Sequence, residues 1–466
     1  MRNKVTFTSF PRRRLIFLSV FFAALMNVLG VGSAVAQRAS QGSASIEACD
    51  ASGKADATQC LQSVLNSANL RTIAFPKNGK FLITASLIVS GGKTLIGNGA
   101  EIDANVGLFS LLRIKGSSVN VSGLRFKSGE GRVESGIWLM SGASDVTLSG
   151  NFINGPVRGM LIGGPGDINI SKITISNNII DGGGAMRFGI LLNSRKASET
   201  SASITADQYP QHIVINKNRI FDVAGDAIEI NSPVAEGRGA TVGSGRAKVA
   251  AHDINIADNI LRAPFSKTRD AGFCIGVAGA YDVVISRNVM SQCKWQGVHI
   301  EDSATNVTIA NNRIDTTIGP QTTDDKSCYV NGSAGCGALT SDGILVLNSN
   351  DISILSNTVM HAHNNGIDLG WNSWGVNHGV AVAGNKITDS GDYGISALGY
   401  TKGFSATIGP VHRGHFPKNA VSGSRNVHNA DFPGEIAACD APPEVIAGIS
   451  SSNSVSSARI TNCRKH

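Results

Sequence analysis

The sequence predicts an all-β chain wound as a parallel β-helix of about ten coils, closed at its start by a short helix. Three observations predict it. The phrase apolar–x–apolar–x–x–Asn–x–apolar occurs eight times and puts Asn151, Asn178, Asn218, Asn259, Asn288, Asn312, Asn357 and Asn385 at one position of a repeating unit. A second phrase accompanies it, a Gly leading alternating apolar residues, as in Gly189-Ile-Leu-Leu192, Gly297-Val-His-Ile300 and Gly366-Ile-Asp-Leu369. The spacing of the Asn positions varies, from 24 residues (Asn288 to Asn312) to 45 (Asn312 to Asn357). Variable spacing around a fixed Asn disfavours leucine-rich horseshoes and four-stranded propeller blades, whose units are more constant.

Alternation sends every second side chain to one face of a strand. In Val307/Ile309 and Ile344/Val346 that face is β-branched, which suits a buried pleated surface. One unit cannot bury such a face alone, so units must stack. Parallel pairing of equivalent strands then advances each coil by about 4.8 Å. The repeated Asn belongs at a bend between strands, where it tolerates the left-handed conformation. Its amide can also bond to the next Asn along the column.

Residues 1–36 have the form of an export signal. Arg2, Lys4 and Arg12–Arg14 make a positive front, Leu15–Val31 is apolar, and Ala34-Val-Ala36 suits cleavage near Ala36, which implies a secreted or periplasmic protein. Residues 37–48 are expected as a linker, 49–403 as the solenoid with its cap, and 404–466 as a C-terminal cap and tail. Asp56 can cap a helix whose Leu61, Val64, Leu65 and Ala68 share one face. Such a helix would cover the open end of the stack. Short strands are expected at Phe81–Ile83, Leu87–Val89 and Thr94–Ile96, then regular coils, interrupted by insertions at Ser194–Pro210, Pro233–Ala251 and Ile318–Ala338. Insertions of this length are usually functional or disordered.

The formal charge of +7 comes mostly from the leader. Residues 1–36 hold five of the 41 Lys and Arg and no acid, which leaves +2 against 34 Asp and Glu. A nucleic-acid partner loses its support. No later apolar run is long enough to span a bilayer. All eight cysteines lie beyond the leader, an even count suited to disulfides in an exported protein. Pairing of sequence neighbours is the simplest arrangement: Cys49–Cys60, Cys274–Cys293, Cys328–Cys336 and Cys439–Cys463.

The run Gly53-Lys-Ala-Asp56-Ala-Thr-Gln-Cys-Leu-Gln62, then Phe75-Pro-Lys-Asn-Gly79-Lys-Phe-Leu-Ile83, then Lys93-Thr-Leu-Ile-Gly-Asn-Gly99, resembles the opening segment of pectate-lyase-like β-helix proteins. With the coils, the resemblance covers most of residues 50–400. It implies a right-handed winding and an activity on polysaccharide. That superfamily holds lyases, glycoside hydrolases, uronate epimerases and phage depolymerases, and a fold does not choose among them. The Asn-Thr-Asp, Gly-Asp-Asp and Gly-His-Gly motifs of polygalacturonase-type hydrolases are absent, as is the Asp-Pro-His-Asp of alginate epimerases. Arg113-Ile-Lys115 matches a polygalacturonase motif but stands before the coils where it would belong, a chance match.

Counting the leading Gly as zero, position two should point outward. Along the stack it reads Trp138, Leu161, Leu191, Glu229, Cys274, His299, Leu345, Asp368 and Ser396. Position four adds Asn193, Asn231 and Glu301, and the residue before the Gly adds Asp226, Gln296, Asp342 and Asn365. Flanking loops add Lys294, Trp295, His361, His363, Trp371, Trp374 and His378. A solvated strand face would also be charged. Polarity confined to the later coils, with three of the four Trp beside it, favours a cleft.

Two chemistries suit these residues. In β-elimination His299 is the base, and Lys294 neutralises a uronate carboxylate; a Ca²⁺ held by Asp226, Glu229 and Asp342 is the alternative neutraliser. In hydrolysis two of Glu229, Glu301 and Asp368 flank the bond. Trp295, Trp371 and Trp374 offer flat faces to sugars, and Asn193 and Asn231 offer hydrogen bonds. His and Lys beside the acids favour the lyase, with no cofactor required unless the Ca²⁺ is used. A non-catalytic carbohydrate-binding scaffold is the third reading.

Overall fold

The computed structural model describes residues 43–164, 166–194, 208–232, 250–263, 272–293, 295–317, 342–370 and 375–397, with short later pieces at 406–408, 419–422, 436–438, 453–455 and 460–461. Among the described residues the regular elements are strands apart from one helix, and every strand pair is parallel. They stack into three sheets of 13, 14 and 13 strands, a longer stack than the ten coils expected. The first sheet holds the strands that run into the repeated Asn, such as Thr305–Ala310. The second holds those that leave it, such as Arg313–Thr317. The third holds the Gly-led strands, such as Val298–Glu301. Three sheets from one repeating unit is the parallel β-helix.

Alternation builds the core as the sequence requires. Val307, Ile309, Ile344 and Val346 are fully buried. The segment 37–48 supplies a strand, Ser43–Ser45, paired with Thr72–Ala74. Beyond 403, strands Ala406–Ile408, Ala420–Ser422 and Ile436–Ala438 continue the three sheets.

The helix spans Thr58–Asn66 and buries Leu61 and Leu65. Ala57, not Asp56, holds the N-cap position and makes no side-chain capping bond; Asp56 accepts the Thr58 N–H at 2.9 Å from one residue further out. Ala68 lies past the helix and is exposed, contrary to expectation. Gln62 shows how the helix closes the stack. Its amide donates to the Ile88 carbonyl at 3.0 Å, and its oxygen accepts the Ile88 N–H at 2.8 Å. Ile88 sits in Leu87–Val89, the terminal strand of the third sheet, so one side chain satisfies backbone groups that an open edge would expose.

The Asn column forms as expected, with one correction. Each amide bonds to the next, as Asn259 does to Asn288 at 2.9 Å and Asn288 to Asn312 at 3.0 Å, and the column runs on through Asn419 to Asn453. The left-handed conformation, however, falls on the residue before each Asn: Asn177, Lys217, Asp258, Arg287, Asn311 and Ser356 have φ of 55 to 59°. The repeated Asn instead points inward and accepts the backbone N–H of the preceding coil's Asn. Cys49–Cys60 and Cys274–Cys293 are disulfides. The other two expected pairs lie outside the described residues.

Candidate active site on the third sheet

Strand register decides which side chains share the outer face. Leu191 pairs with Glu229, Glu229 with Gly276, Gly276 with His299, His299 with Leu345, Leu345 with Asp368, and Asp368 with Ser396. Gly276 therefore takes the place expected for Cys274. Ile275 pairs with Ile228, which puts Cys274 at the Gly position, bonded to Cys293 of the second sheet. The difference has a simple source: in this coil a Cys, not a Gly, stands at the leading position, so a count from Gly272 runs two residues early.

This face is not a solvated one. On the first sheet, outward residues such as Val284 stay open, 41% exposed. On the third, Glu229, His299, Leu345, Asp368 and Ser396 point outward yet are all buried. Burying charge without compensation is costly, so these groups need partners or altered protonation.

The register brings six of the expected residues together: Asp226, Glu229, Trp295, Gln296, His299 and Glu301. His299 Nε2 lies 3.2 Å from a Glu301 carboxylate oxygen, a charge contact off the line of a hydrogen bond, and Glu301 is the open member at 30% side-chain exposure. The imidazole stacks on Phe273 at 4.3 Å between ring centroids, and Nδ1 lies 3.4 Å from the Gln296 oxygen. Trp295 meets Phe273 edge to face at 6.3 Å and is buried. Glu229 leans one coil along the stack toward His299. A methyl group at Gly276 would stand 1.9 Å from Glu229 Oε2, so only Gly leaves room for that carboxylate. Asp226 is buried beside them and accepts the Phe273 N–H at 2.8 Å. Burial pushes its pKa up to about 7, against the pull of that hydrogen bond and of the nearby His299 and Arg187 charges, with Glu301 adding to the rise.

Asp368 stands apart. It lies four coils from Glu229, roughly 19 Å, beyond the separation of a glycosidase pair. Burial raises it too, to about 7, opposed by the Ser396 hydroxyl, reinforced by Asp392 and opposed again by Asn365. The proposed Ca²⁺ set does not gather either. Asp226 and Asp342 are three coils apart, roughly 14 Å, too far to share an ion held at about 2.4 Å. Among the described residues no group of three His, Cys, Asp or Glu is placed to hold a metal. Asp342 has a structural use, since it accepts the Asn365 N–H at 2.9 Å. Asn193 and Asn231 pair in adjacent coils at the rim, half-buried. His361 follows the second-sheet strand Thr358–Met360 and contacts Asp315 of that sheet at 2.9 Å. Lys294, Trp371 and Trp374 lie outside the described residues. Phe273 and Gly276 were missed, because an aromatic and a glycine carry no chemical signal of their own in the sequence.

Residues 110–335 match the family model described as the right handed beta helix region. Among solved structures, the Dettilon tailspike protein (gp208) is similar at 15% identity and a TM-score of 0.54, over 85% of this chain and 68% of that one. The catalytic domain of a GH87 alpha-1,3-glucanase in complex with tetrasaccharides is similar at 12% and 0.53, over 85% and 67%. The A-module of the Azotobacter vinelandii mannuronan C-5 epimerase AlgE4 is similar at 13% and 0.50, over 82% and 94%. No curated protein matches the chain. The fold is thus the right-handed parallel β-helix, as the sequence resemblance implied. Identities this low carry the fold and not the activity.

Proposed function

We propose that the chain acts on an acidic polysaccharide and breaks it by β-elimination at the Asp226–Glu229–His299–Glu301 cluster. The observation that carries the reading is the buried His299 held 3.2 Å from Glu301, beside a second acid that keeps its proton up to about 7. Two structurally similar proteins named above, the glucanase and the mannuronan epimerase, are named for work on polysaccharides, which supports a polysaccharide as the substrate.

In this reading His299 takes the proton from the carbon bearing the uronate carboxylate, and Glu301 stabilises the resulting imidazolium. The electrons of that C–H bond form the new double bond as the C–O bond to the departing sugar breaks. Asp226 supplies the proton the departing oxygen needs. Asn193, Asn231 and Trp295 orient the chain, with Lys294, Trp371 and Trp374 as further candidates. The two disulfides suit an exported protein. Hydrolysis is the second reading, favoured by one observation: a protonated Asp226 beside carboxylates is also an acid–base set for glycosidic cleavage.

The full chain, incubated with a panel of uronic-acid polysaccharides, should release unsaturated products that absorb in the ultraviolet. His299→Ala should abolish them with little change in melting temperature. New reducing ends without absorbance would transfer the reading to hydrolysis, and binding without either signal would favour a scaffold. A chelator added to the same assay reads any Ca²⁺ requirement.

A further inference from the structure

We infer that Phe109, Arg113 and Trp138 form a separate, non-catalytic subsite for one carboxylate-bearing sugar of the same glycan chain. The inference rests on the polysaccharide reading above, though not on the chemistry at His299. Arg113 pairs with Trp138 on the outer face of the third sheet, and the same row continues through Leu161 and Leu191 to Glu229. Trp138 thus lies three coils from Glu229, roughly 14 Å, and five from His299, roughly 24 Å. Several linked sugars would span that interval.

Exposure and charge single out this place. Leu161 and Leu191 are buried, whereas Phe109 is 44% exposed, so the sheet's outer face opens to solvent at these strands. The Phe109 and Trp138 rings lie 4.6 Å apart, tilted by 48°. The Arg113 guanidinium sits over both, at 5.9 and 5.3 Å from the centroids, and its Nε donates to Ser110 Oγ at 3.0 Å. Arg125, Arg158, Arg262, Arg287 and Arg313 each have a carboxylate partner. Among the described residues Arg71, Arg113, Arg132 and Arg219 show no carboxylate partner, and of these four Arg113 alone stands over aromatic rings and is fixed there by Ser110. Gly164 lies close to the indole: a methyl there would stand 3.6 Å from the Trp138 ring and 3.4 Å from Asp167 Oδ2. An aromatic pair offers a flat apolar surface to the C–H face of a sugar. An arginine lacking a counter-charge offers a planar fork to that sugar's carboxylate.

The test uses the full chain and a hexasaccharide of polygalacturonate or alginate, beside the methyl ester of each, with affinity read by calorimetry. Phe109→Ala and Trp138→Ala should each weaken binding of the acid forms by about tenfold, the equivalent of roughly 1.4 kcal/mol. Arg113→Met should weaken the acid forms by a similar factor and leave the esters within about twofold. Phe109 is exposed, so its variant keeps the fold even if Trp138→Ala does not, and thermal unfolding checks both. Wild-type affinity in Phe109→Ala and in a folded Arg113→Met would overturn the subsite, as would an absence of binding by the unaltered chain to any of the four probes. The two proposals fail separately. A His299→Ala chain that still turns over glycan, with Phe109→Ala binding weakly, sinks the elimination and keeps the subsite, while the opposite pattern does the reverse.

Discussion

Replacing Asp226 by Asn removes a proton that the fold holds unusually tightly, and the structure sets both the sign and the size of the result. Burial raises this carboxyl from 3.8 to about 7. A difference of ~3 pH units is worth on the order of 4 kcal/mol against the ionised form in the folded chain. Below 3.8 the group is protonated whether folded or not, and adds nothing. Between 3.8 and about 7 the folded chain keeps a proton that the unfolded chain has lost, so stability falls as pH rises; above about 7 the full penalty is present. Asn has no proton to lose and still offers an oxygen to the Phe273 N–H, now 2.8 Å from Asp226. From about pH 4 to about pH 8, Asp226→Asn should therefore gain stability on the unaltered chain, by at most ~4 kcal/mol. Asp368 titrates in the same direction but is present in both proteins and cancels. Urea unfolding of both proteins across that range gives the difference directly. A difference that stays flat with pH, or that moves against the variant, would refute burial as the cause of the shift.

Two further substitutions test the architecture and the site. Asn259→Ala removes donors to the Ile215 carbonyl and Asn288 Oδ1, both at 2.9 Å, and an acceptor for the N–H and amide of Asn218. Buried groups left without partners should lower stability by about 3 kcal/mol, and an unchanged urea midpoint would show that the column does not hold the coils together. Gly276→Ala would set a methyl 1.9 Å from Glu229 Oε2 and drive that carboxylate off the face. Glycan turnover should drop by at least ~tenfold with little change in melting temperature, and unaltered turnover would remove Glu229 from the site.

Much of the fold was legible because period and spacing are properties of the backbone. Alternation in Val307/Ile309 and the recurrence of Asn at one position leave few alternatives to parallel coils, and the Asn column forms. The left-handed residue was placed one position late because Asn itself tolerates that conformation, although Lys217 and Arg287 adopt it here. In the site, Glu229, His299 and Glu301 could be read from alternation alone. Phe273, Gly276 and the protonation of Asp226 could not, since they depend on register across a 47-residue step between coils and on burial. The Ca²⁺ set failed for a related reason: sharing a face says nothing about distance along the stack, and three coils separate Asp226 from Asp342.

The most direct measurement is a crystal structure of His299→Ala soaked with a uronic-acid oligosaccharide. The sugar chain should lie along the outer face of the third sheet, with one glycosidic bond beside Glu301 and the Asp226 carboxyl within hydrogen-bond reach of the bridging oxygen. A chain bound on the first or second sheet, with the His299 face left bare, would contradict the account.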